Sequence, residues 1–370
     1  MEWIECTLGD ILNFRRGYDL PHSEMKGGSV PVAGSNGIIG YHNVATDISP
    51  VITIGRSGNV GTPYMYTTAW AHNTTLYIDD FKGNDPLYLY YLIKTLPLSS
   101  FGGGSAVPTL NRNHIHPLAI KHCPDVKEQR RLADILKSFD DKIELNNRIN
   151  HNLEEQAKAL YKSWFVDFEP FKGDQFVDSE LGLIPEGWRI GSLSEIADIT
   201  MGQSPSGASF NEEGRGIIFY QGRTEFGFRF PSIKLFTTEP TRFSESKSIL
   251  MSVRAPVGDI NISKTRCCIG RGLASINPHT SSYSFVLYTM KSKAEELDLY
   301  NGEGTVFGSI NRKELEGLTI LIPPKDVINS FNALVTPLDT KVEVLSDEIT
   351  NLTKQRDILL PQLMSGHFTC

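Results

Sequence analysis

Two copies of one pattern follow each other along the sequence, and this repeat constrains the fold more than any other feature. Trp3 recurs as Trp188 after 185 residues, and Asn111 recurs as Asn311 after 200 residues. Solenoid repeats are only about 20 to 50 residues long, so a period of this length indicates a duplicated domain. The chain of 370 residues is long enough to hold two related globular domains.

In each copy, a proline is followed by apolar residues at alternating spacings of three and four, which is typical of a coiled-coil seam. The first series follows Pro124 and the second follows Pro323-Pro324, with a constant offset of 199 residues. The predicted seam consists of Leu132, Leu136, Phe139, Ile143, Leu153 and Leu160 in the first copy and of Val335, Leu338, Val342, Leu345, Ile349, Leu352 and Leu359 in the second.

An apolar seam needs a partner, and the nearest one is the other helix of the same chain. Since each helix leaves its own globular domain, we expect the two helices to pair antiparallel, with the domains related by a pseudo-two-fold axis. A helix of about 40 residues is about 60 Å long. Asn146 and Asn150 are polar seam positions and leave an alternative open, in which each helix packs mainly on other subunits.

Outside the helices, short apolar runs separated by Gly and Asn indicate strands joined by turns. We therefore predict an α+β fold: two similar mixed α/β domains joined by two long antiparallel coiled-coil helices. The predicted boundaries are 1–122 for the first domain, 123–170 for the first helical region, 171–187 for a linker, 188–322 for the second domain and 323–370 for the second helical region.

The composition, with 40% hydrophobic residues, is that of a globular protein. The five cysteines include no CxxC pair, which argues against a disulfide framework and against a structural zinc site. No apolar run approaches the roughly 20 residues that span a bilayer, and the first residues do not have the pattern of a signal peptide. We expect a cytoplasmic protein without membrane contact.

The net charge of −7 is unfavourable for a protein that binds nucleic acid, but the charge is unevenly distributed. Between residues 201 and 272, ten Lys and Arg residues stand against six Asp and Glu residues. This window is net positive and could face phosphates. A mixed, solvated surface is the alternative interpretation.

The sequence offers few catalytic patterns. It contains no phosphate-binding loop of the Gly-x-x-x-x-Gly-Lys type, and the Gly-rich loop at 302–308 and its counterpart at 102–108 are interpreted as matching surface loops. Asp326 with Asp339 and Lys341 has the spacing of a nuclease metal site, but these residues lie in the predicted helix, where a solvated face is expected. His114 and His116 have no further ligand nearby, so no metal site is predicted.

Loops rich in Gly, Asn and Arg recur at equivalent places in both copies. Arg suits a bidentate contact with guanine, and Asn suits adenine. The loop after the strand at 51–54 matches the loop after the strand at 248–253, and two further loops match in the same way. The candidate DNA contacts are Asn36, Arg56, Asn59 and Asn73 in the first copy and Arg215, Arg223, Arg254 and Arg271 in the second. Ordinary turn chemistry, in which Gly and Asn adopt positive φ, is the alternative.

Three segments give the chain a family resemblance. They are Leu160-Tyr161-Lys162-Ser163-Trp164-Phe165-Val166-Asp167-Phe168-Glu169-Pro170-Phe171, the stretch from Val177 to Trp188 that includes Leu183-Ile184-Pro185-Glu186-Gly187-Trp188, and Gln355-Arg356-Asp357-Ile358-Leu359-Leu360-Pro361-Gln362-Leu363-Met364-Ser365-Gly366. With them, the chain resembles the specificity subunit (HsdS) of type I restriction-modification enzymes over essentially its whole length. One departure is that Asp326 to Ser330 stand where the first copy has Glu128-Gln129.

The resemblance implies two target-recognition domains that each read one half of a bipartite sequence in double-stranded DNA. It also implies helices that bind two HsdM methyltransferase subunits, with HsdR restriction subunits joining the complex. This chain would have no active site and bind no cofactor, because S-adenosylmethionine belongs to the M subunits, and ATP and Mg belong to the R subunits. Two other classes stay open at this point: a self-contained DNA methyltransferase or nuclease, and a coiled-coil adaptor with protein-binding heads.

Overall fold

A computed structural model describes residues 3–25, 27–102, 109–279, 282–302 and 308–366. Cys370 and most of the two Gly-rich loops interpreted above as surface loops lie outside these residues. The chain divides into two compact units. Unit 1 consists of residues 1–147 and 346–370, and unit 2 consists of residues 148–345. Each unit therefore contains one globular part and portions of both long helices.

Unit 1 has three small sheets. Its strands are β1 (Ile4–Thr7), β2 (Asn13–Arg16), β3 (Val30–Gly34), β4 (Gly37–His42), β5 (Val51–Gly55), β6 (Pro63–Tyr66), β7 (Trp70–Ala71), β8 (Thr75–Asp80) and β9 (Ala119–His122), and its short helices are α1 (Leu8–Ile11), α2 (Pro86–Lys94) and α3 (Arg112–Ile115). The sheets have the orders β2-β8-β5-β6, β4-β3-β7 and β1-β9. Helix α2 begins after Asp85, whose carboxylate accepts hydrogen bonds from the backbone N–H groups of Leu87 and Tyr88.

The two 40-residue helices are α4 (Val126–Phe165) and α8 (Lys325–Met364). Between them lie the strands β10 (Phe176–Ser179), β11 (Gly182–Pro185), β12 (Arg189–Ser192), β13 (Ala197–Met201), β14 (Phe210–Asn211), β15 (Ile217–Tyr220), β16 (Leu235–Thr237), β17 (Phe243–Ser244), β18 (Ile249–Ser252), β19 (Ile260–Ile262), β20 (Cys267–Ile269), β21 (Leu273–Pro278) and β22 (Thr319–Ile322), with helices α5 (Tyr283–Ser292), α6 (Ala294–Asp298) and α7 (Arg312–Glu316).

The sheets of unit 2 repeat the plan of unit 1. The four-stranded sheet β13-β21-β18-β19 has the same order and antiparallel pairing as β2-β8-β5-β6. The parallel pair β15 and β20 corresponds to the parallel pair β3 and β7. The pair β12 and β22 closes the globular part as β1 and β9 do. The predicted duplication and the predicted α+β class are confirmed.

Helices α4 and α8 run antiparallel within each unit. In unit 1, Arg356 Nη1 donates to Asp140 Oδ1 at 2.6 Å, and Asn146 Nδ2 donates to Glu348 Oε2 at 2.9 Å. In unit 2, the ring centroids of Phe165 and Phe331 are 4.9 Å apart. The helices thus pack on each other within each unit, as the seam predicts.

Every predicted seam residue is buried or half-buried. Leu132, Leu136, Val335, Val342 and Leu345 are buried, and Phe139, Ile143, Leu153, Leu160, Leu338, Ile349, Leu352 and Leu359 are half-buried. Asn146 and Asn150 are buried as well. The end of α8 contributes Leu363 and Met364 to the core of unit 1. Each globular core therefore includes residues from helix segments that are distant in the sequence.

Candidate nucleic-acid interface

Three loops of unit 1 meet at one edge of its sheets, and we call this the loop edge of unit 1 (residues 34–36, 55–61 and 71–75). The backbone N–H of His72 donates to Ala33 O at 3.0 Å and joins the turn after β3 to the turn before β8. The backbone N–H of Arg56 donates to Thr74 O at 2.8 Å and joins the loop after β5 to the same turn. Asn36, Arg56, Asn59 and Asn73 therefore lie on neighbouring loops.

The loop edge of unit 2 (residues 221–225, 253–259 and 269–272) is built in the same way. The backbone N–H of Gly270 donates to Tyr220 O at 2.8 Å, and that of Val253 donates to Gly272 O at 2.9 Å. Arg223 Nε lies 2.5 Å from Asp259 Oδ2 and links two of the three loops. The loops that carry Arg223, Arg254 and Arg271 are thus brought together.

One glycine in each unit allows this close assembly. The backbone N–H of Gly17 donates to Thr75 O, and that of Gly202 donates to Leu273 O, at equivalent places after β2 and β13. A Cβ atom at Gly17 would overlap the carbonyl oxygen of His72, and one at Gly202 would overlap that of Gly270. Only glycine lets the backbones approach so closely.

The matching arginines on the loops after β5 and β18 are offset by one residue. Leu110 N–H donates to Arg56 O, and Ile310 N–H donates to Val253 O, so Arg56 occupies the place of Val253. Arg254 pairs with Ser309 in an isolated bridge, as Ser57 pairs with Thr109. The loops correspond as expected, but the two arginines leave the backbone at different points.

The candidate side chains differ in their surroundings. Asn36, Asn59, Arg215, Arg223, Arg254 and Arg271 are exposed, whereas Arg56 and Asn73 are half-buried. Asn59 Oδ1 accepts a hydrogen bond from Thr62 Oγ1 at 3.0 Å, and Asn73 Nδ2 donates to Asp19. The side chains of Asn59 and Asn73 are thus engaged within the chain, but neither residue adopts the positive φ of the alternative given above. Among the described residues, Arg254 and Arg271 form no ion pair with an acidic side chain.

Arg215 is separated from the other candidates. It precedes β15, whereas Arg223 follows it, so the strand lies between them. Its backbone N–H donates to Asn211 Oδ1 at 2.9 Å, and its guanidinium lies 3.3 Å from Glu213 Oε2. The described contacts of Arg215 thus lie outside the loop edge of unit 2.

A basic cleft in unit 1 was not foreseen from the sequence. It measures about 390 Å³, and its charged lining consists of Arg15, Arg16, Arg56 and Arg112. Only Arg56 is a candidate from the sequence. The adjacent Arg15-Arg16 at the end of a strand, directly before Gly17, is the sequence signal that could have indicated it.

Two expectations about charged residues in unit 2 are wrong. Arg229, counted in the basic window, has only 2% of its side chain exposed and lies between Glu154 and Asp339 at 3.1 and 2.7 Å. Asp339, expected on a solvated helix face, is buried and also accepts hydrogen bonds from Tyr288 and Ser284. Arg229 therefore stabilises the helices of unit 2 and is not available for phosphate.

The pKa values in this cluster follow from burial and pairing. Burial alone would lower the pKa of Arg229, but Tyr288, Asp339 and Glu154 raise it above its usual range. Burial would raise the pKa of Glu154, but the positive charges of Lys291 and Arg229 lower it. Lys291 Nζ lies 2.5 Å from Glu154 Oε1. Both members of the Arg229–Glu154 pair are therefore held in their charged forms.

Among the described residues, no group of three or more His, Cys, Asp or Glu side chains is arranged to hold a metal ion. Asp339, whose spacing suggested a nuclease site, is instead engaged with Arg229. Of the helices in the described ranges, none is both long enough and apolar enough to cross a membrane.

The chain is similar to proteins of one known family. The family described as the type I restriction modification DNA specificity domain matches residues 1–155 and 185–352. The specificity subunit assigned to the type I restriction enzyme MjaX of Methanocaldococcus jannaschii is 33% identical over 290 residues, which cover 76% of this chain and 68% of that protein. The MjaIX specificity subunit of the same organism is 30% identical over 301 residues, which cover 75% and 68%.

The fold also resembles a solved structure. The crystal structure of the S subunit of a type I restriction-modification system from M. genitalium superposes with a TM-score of 0.66 at 16% identity and covers 98% of this chain and 96% of that one. At this identity, the similarity concerns the fold alone. The two family matches coincide with the two copies of the sequence repeat, and they establish that the chain belongs to the type I restriction-modification DNA specificity family.

Proposed function

We propose that the chain selects a bipartite sequence in double-stranded DNA, with unit 1 reading one half-site and unit 2 reading the other. The observation that carries this proposal is that the two loop edges share one backbone frame but present different side chains. Asn36 stands where Arg223 stands, and Asn73 stands where Arg271 stands. A shared frame with different readout residues suits two related domains that recognise different bases.

The side chains suit the chemistry of the major groove. An arginine can make a bidentate contact with O6 and N7 of guanine, and an asparagine can do the same with N6 and N7 of adenine. Asp259 engages Nε of Arg223, so both Nη atoms of that guanidinium remain for a base. The backbone N–H of Asp259 donates to Ser252 Oγ at 2.9 Å, which anchors the loop backbone that carries this carboxylate.

We further infer that α4 and α8 carry two methyltransferase subunits. Leu145 on α4 and Val344 on α8 occupy equivalent places in the repeat and are 48% and 54% exposed. Equivalent exposed apolar residues on two related helix segments suit two copies of one partner. The restriction subunits would join this assembly.

In this proposal the chain itself is not an enzyme. Methylation of adenine, with S-adenosylmethionine as the methyl donor, would belong to the methyltransferase subunits. ATP and Mg would act on the restriction subunits. Both relatives described above are named specificity subunits, which supports this division of labour.

The experiment is to express the full chain with the methyltransferase subunit of its own operon and to map methylated adenines across a genome. The expected result is one bipartite sequence with a spacer of fixed length. Arg254→Ala should relax one position of one half-site, at a cost of about 1 to 3 kcal/mol in discrimination. Arg215→Ala is the matched control, because this exposed arginine lies away from the loop edge, and it should leave the methylated sequence unchanged.

Two results would favour the other classes of protein. Methylation or cleavage by the purified chain alone would indicate a self-contained enzyme. Absence of DNA binding in the presence of a folded methyltransferase partner would indicate a protein adaptor. Relaxation of both half-sites by Arg254→Ala would contradict the assignment of one half-site to each unit.

The docking of the methyltransferase subunits can be tested separately. Leu145→Glu and Val344→Glu should each reduce the number of bound subunits from two to one, as measured by native mass spectrometry. Leu334→Glu is the control: Leu334 is a 51% exposed apolar residue on α8, but its counterpart Ile135 is half-buried. If all three variants lost the same number of subunits, these two positions would not be the docking sites.

A further inference from the structure

The basic cleft of unit 1 has the character of an anion-binding site. Its lining includes Arg15, Arg16, Arg56 and Arg112 together with Thr109 and Asn111, but no acidic side chain. Arg16 also lies 3.2 Å from Asp19, a pair in which both side chains are more than half exposed. Such an exposed pair neutralises little charge, because water screens it. The cleft therefore keeps most of its positive charge.

The backbone holds these arginines in place. Arg15 and Arg16 end β2, where they pair in register with Tyr77 and Leu76 of β8. Arg112 Nη1 donates to the carbonyl oxygen of Phe14 at 3.2 Å and so orients its guanidinium along the same strand. Arg15, Arg16 and Arg112 are thus attached to a sheet edge and a short helix.

The equivalent strand of unit 2 lacks these charges. Thr200 and Met201 end β13, where they pair with Ser275 and Ala274 of β21. This register is the one that Arg15 and Arg16 have with β8. Two arginines of unit 1 are thus replaced by two uncharged residues in unit 2.

One of the other two positions differs as well. Val253, which is buried, stands at the place of Arg56, as the hydrogen bonds from Ile310 and Leu110 establish. Arg312 corresponds to Arg112 and is the one arginine kept at these positions; it lies 2.7 Å from Glu316 on the same helix. At these four positions, the described part of unit 2 therefore has one arginine where unit 1 has four, although the sequence of unit 2 contains the more basic window.

We propose that this cleft of unit 1 binds backbone phosphates of the DNA, so that unit 1 supplies an electrostatic anchor that unit 2 lacks. The inference rests on the proposed function, because it takes DNA as the ligand of the loop edges. Arg56 belongs both to the cleft and to the loop edge of unit 1, so a duplex seated on that edge brings its phosphates to the cleft. Contacts of this kind position the duplex and do not read its sequence.

The test is the salt dependence of DNA binding by the full chain in complex with its methyltransferase subunits. The probes are a fluorescent duplex that contains the mapped target and a duplex of unrelated sequence. Each phosphate contact contributes about 0.9 to the slope of log Kobs against log salt concentration. Arg15→Gln and Arg16→Gln should each lower that slope by about 0.9 on both duplexes, with the methylated sequence unchanged. Arg312→Gln is the matched control and should leave the slope as in the unaltered protein.

Four results would overturn the inference. The first is an unchanged slope in both variants while the unaltered complex still selects its bipartite target. The second is weaker binding of the target duplex alone, which would make these arginines base contacts. The third is an equal loss in Arg312→Gln, which would remove the asymmetry. The fourth is that inorganic phosphate, at constant ionic strength, displaces the duplex from the unaltered complex but not from the variants, although the variants bind DNA as before. That result would mark a site for a free anion. Failure of the unaltered complex to select any sequence would instead contradict the proposed function itself.

Discussion

In both units, the same tyrosine–aspartate hydrogen bond joins the globular part to a long helix, but different residues neutralise the charge of the aspartate. Tyr91 Oη donates to Asp140 at 2.7 Å in unit 1, and Tyr288 Oη donates to Asp339 at 2.8 Å in unit 2. The two aspartates stand 199 residues apart, at the same place in the repeat. The hydrogen bond therefore belongs to the duplicated frame.

The arginine that pairs with the aspartate, in contrast, comes from a different element in each unit. Asp140 pairs with Arg356 of the facing helix, whose side chain is 21% exposed. Asp339 pairs with Arg229, which comes from a loop of the globular part and is almost completely buried. Two related domains can thus keep the same hydrogen bond between two elements while the arginine that stabilises it comes from a different element. The two arginines differ strongly in their access to water.

Replacement of Arg229 should have the largest effect. Arg229→Met leaves the buried carboxylates of Glu154 and Asp339 without their shared cation, at an expected cost of about 3 to 5 kcal/mol. Arg356→Met, the matched change in unit 1, should cost about 1 kcal/mol, because its pair is partly solvated. Hydrogen exchange of peptides from α5 and α2 would report the two units separately. Equal losses of protection in both units would contradict the distinction between a buried and a solvated link.

A second contrast concerns the beginning of the two long helices. Gln129 is fully buried; its Nε2 donates to Asn84 Oδ1 and Cys123 O, and its Oε1 accepts from the Asp85 N–H. Ile328 stands at the same place in unit 2 and is also buried.

Gln129→Ile should therefore cost about 2 to 3 kcal/mol, since it leaves buried backbone groups without partners. The control Ile328→Val removes one methyl group and should cost about 0.5 to 1.5 kcal/mol. Urea unfolding of the full chain would measure both changes. If Gln129→Ile left the free energy of unfolding unchanged, the hydrogen bonds of this glutamine would not be what holds α4 against the globular part of unit 1.

Acid should produce the smallest effect, and in unit 2 it should act through Glu154. The pKa of Glu154 in the folded chain lies below its ordinary value of 4.5, because Lys291 and Arg229 outweigh the effect of burial. Stability from this group is therefore fully present above about pH 4.5 and is lost as the pH falls through the folded-state pKa. Glu154→Gln should flatten the acid dependence of exchange in α5. An acid response that was unchanged in this variant would have to come from other groups.

The sequence predicted those parts of the fold that depend on local periodicity. The heptad seam placed both long helices, which the structure bounds at Val126–Phe165 and Lys325–Met364. The repeat placed the matching loops, because two copies of one backbone frame carry their turns at corresponding positions. In unit 2, three of the four candidate arginines lie on the loops that meet, and Arg215 does not.

Long-range pairing could not be predicted in the same way. The partners of Arg229 stand 75 and 110 residues away in the sequence, so a count of charges in a window could not reveal that it is buried. The offset between Arg56 and Arg254 depends on the register of backbone hydrogen bonds, which residue patterns do not specify. Arg15 and Arg16 are brought near Arg56 because β2 and β5 both pair with β8.

The division of α8 between the two units has a consequence for biosynthesis. Leu363 and Met364 complete the core of unit 1, and Gly366 lies against the ring of Trp3. The ribosome makes these residues only after it has made the whole of unit 2. Domains that are contiguous in sequence can fold as they emerge, N-terminal first. The synthesis of unit 1 therefore begins first and ends last. A chain that ends anywhere before residue 346 has a unit 1 with an open core, which proteases and chaperones can distinguish from the completed unit.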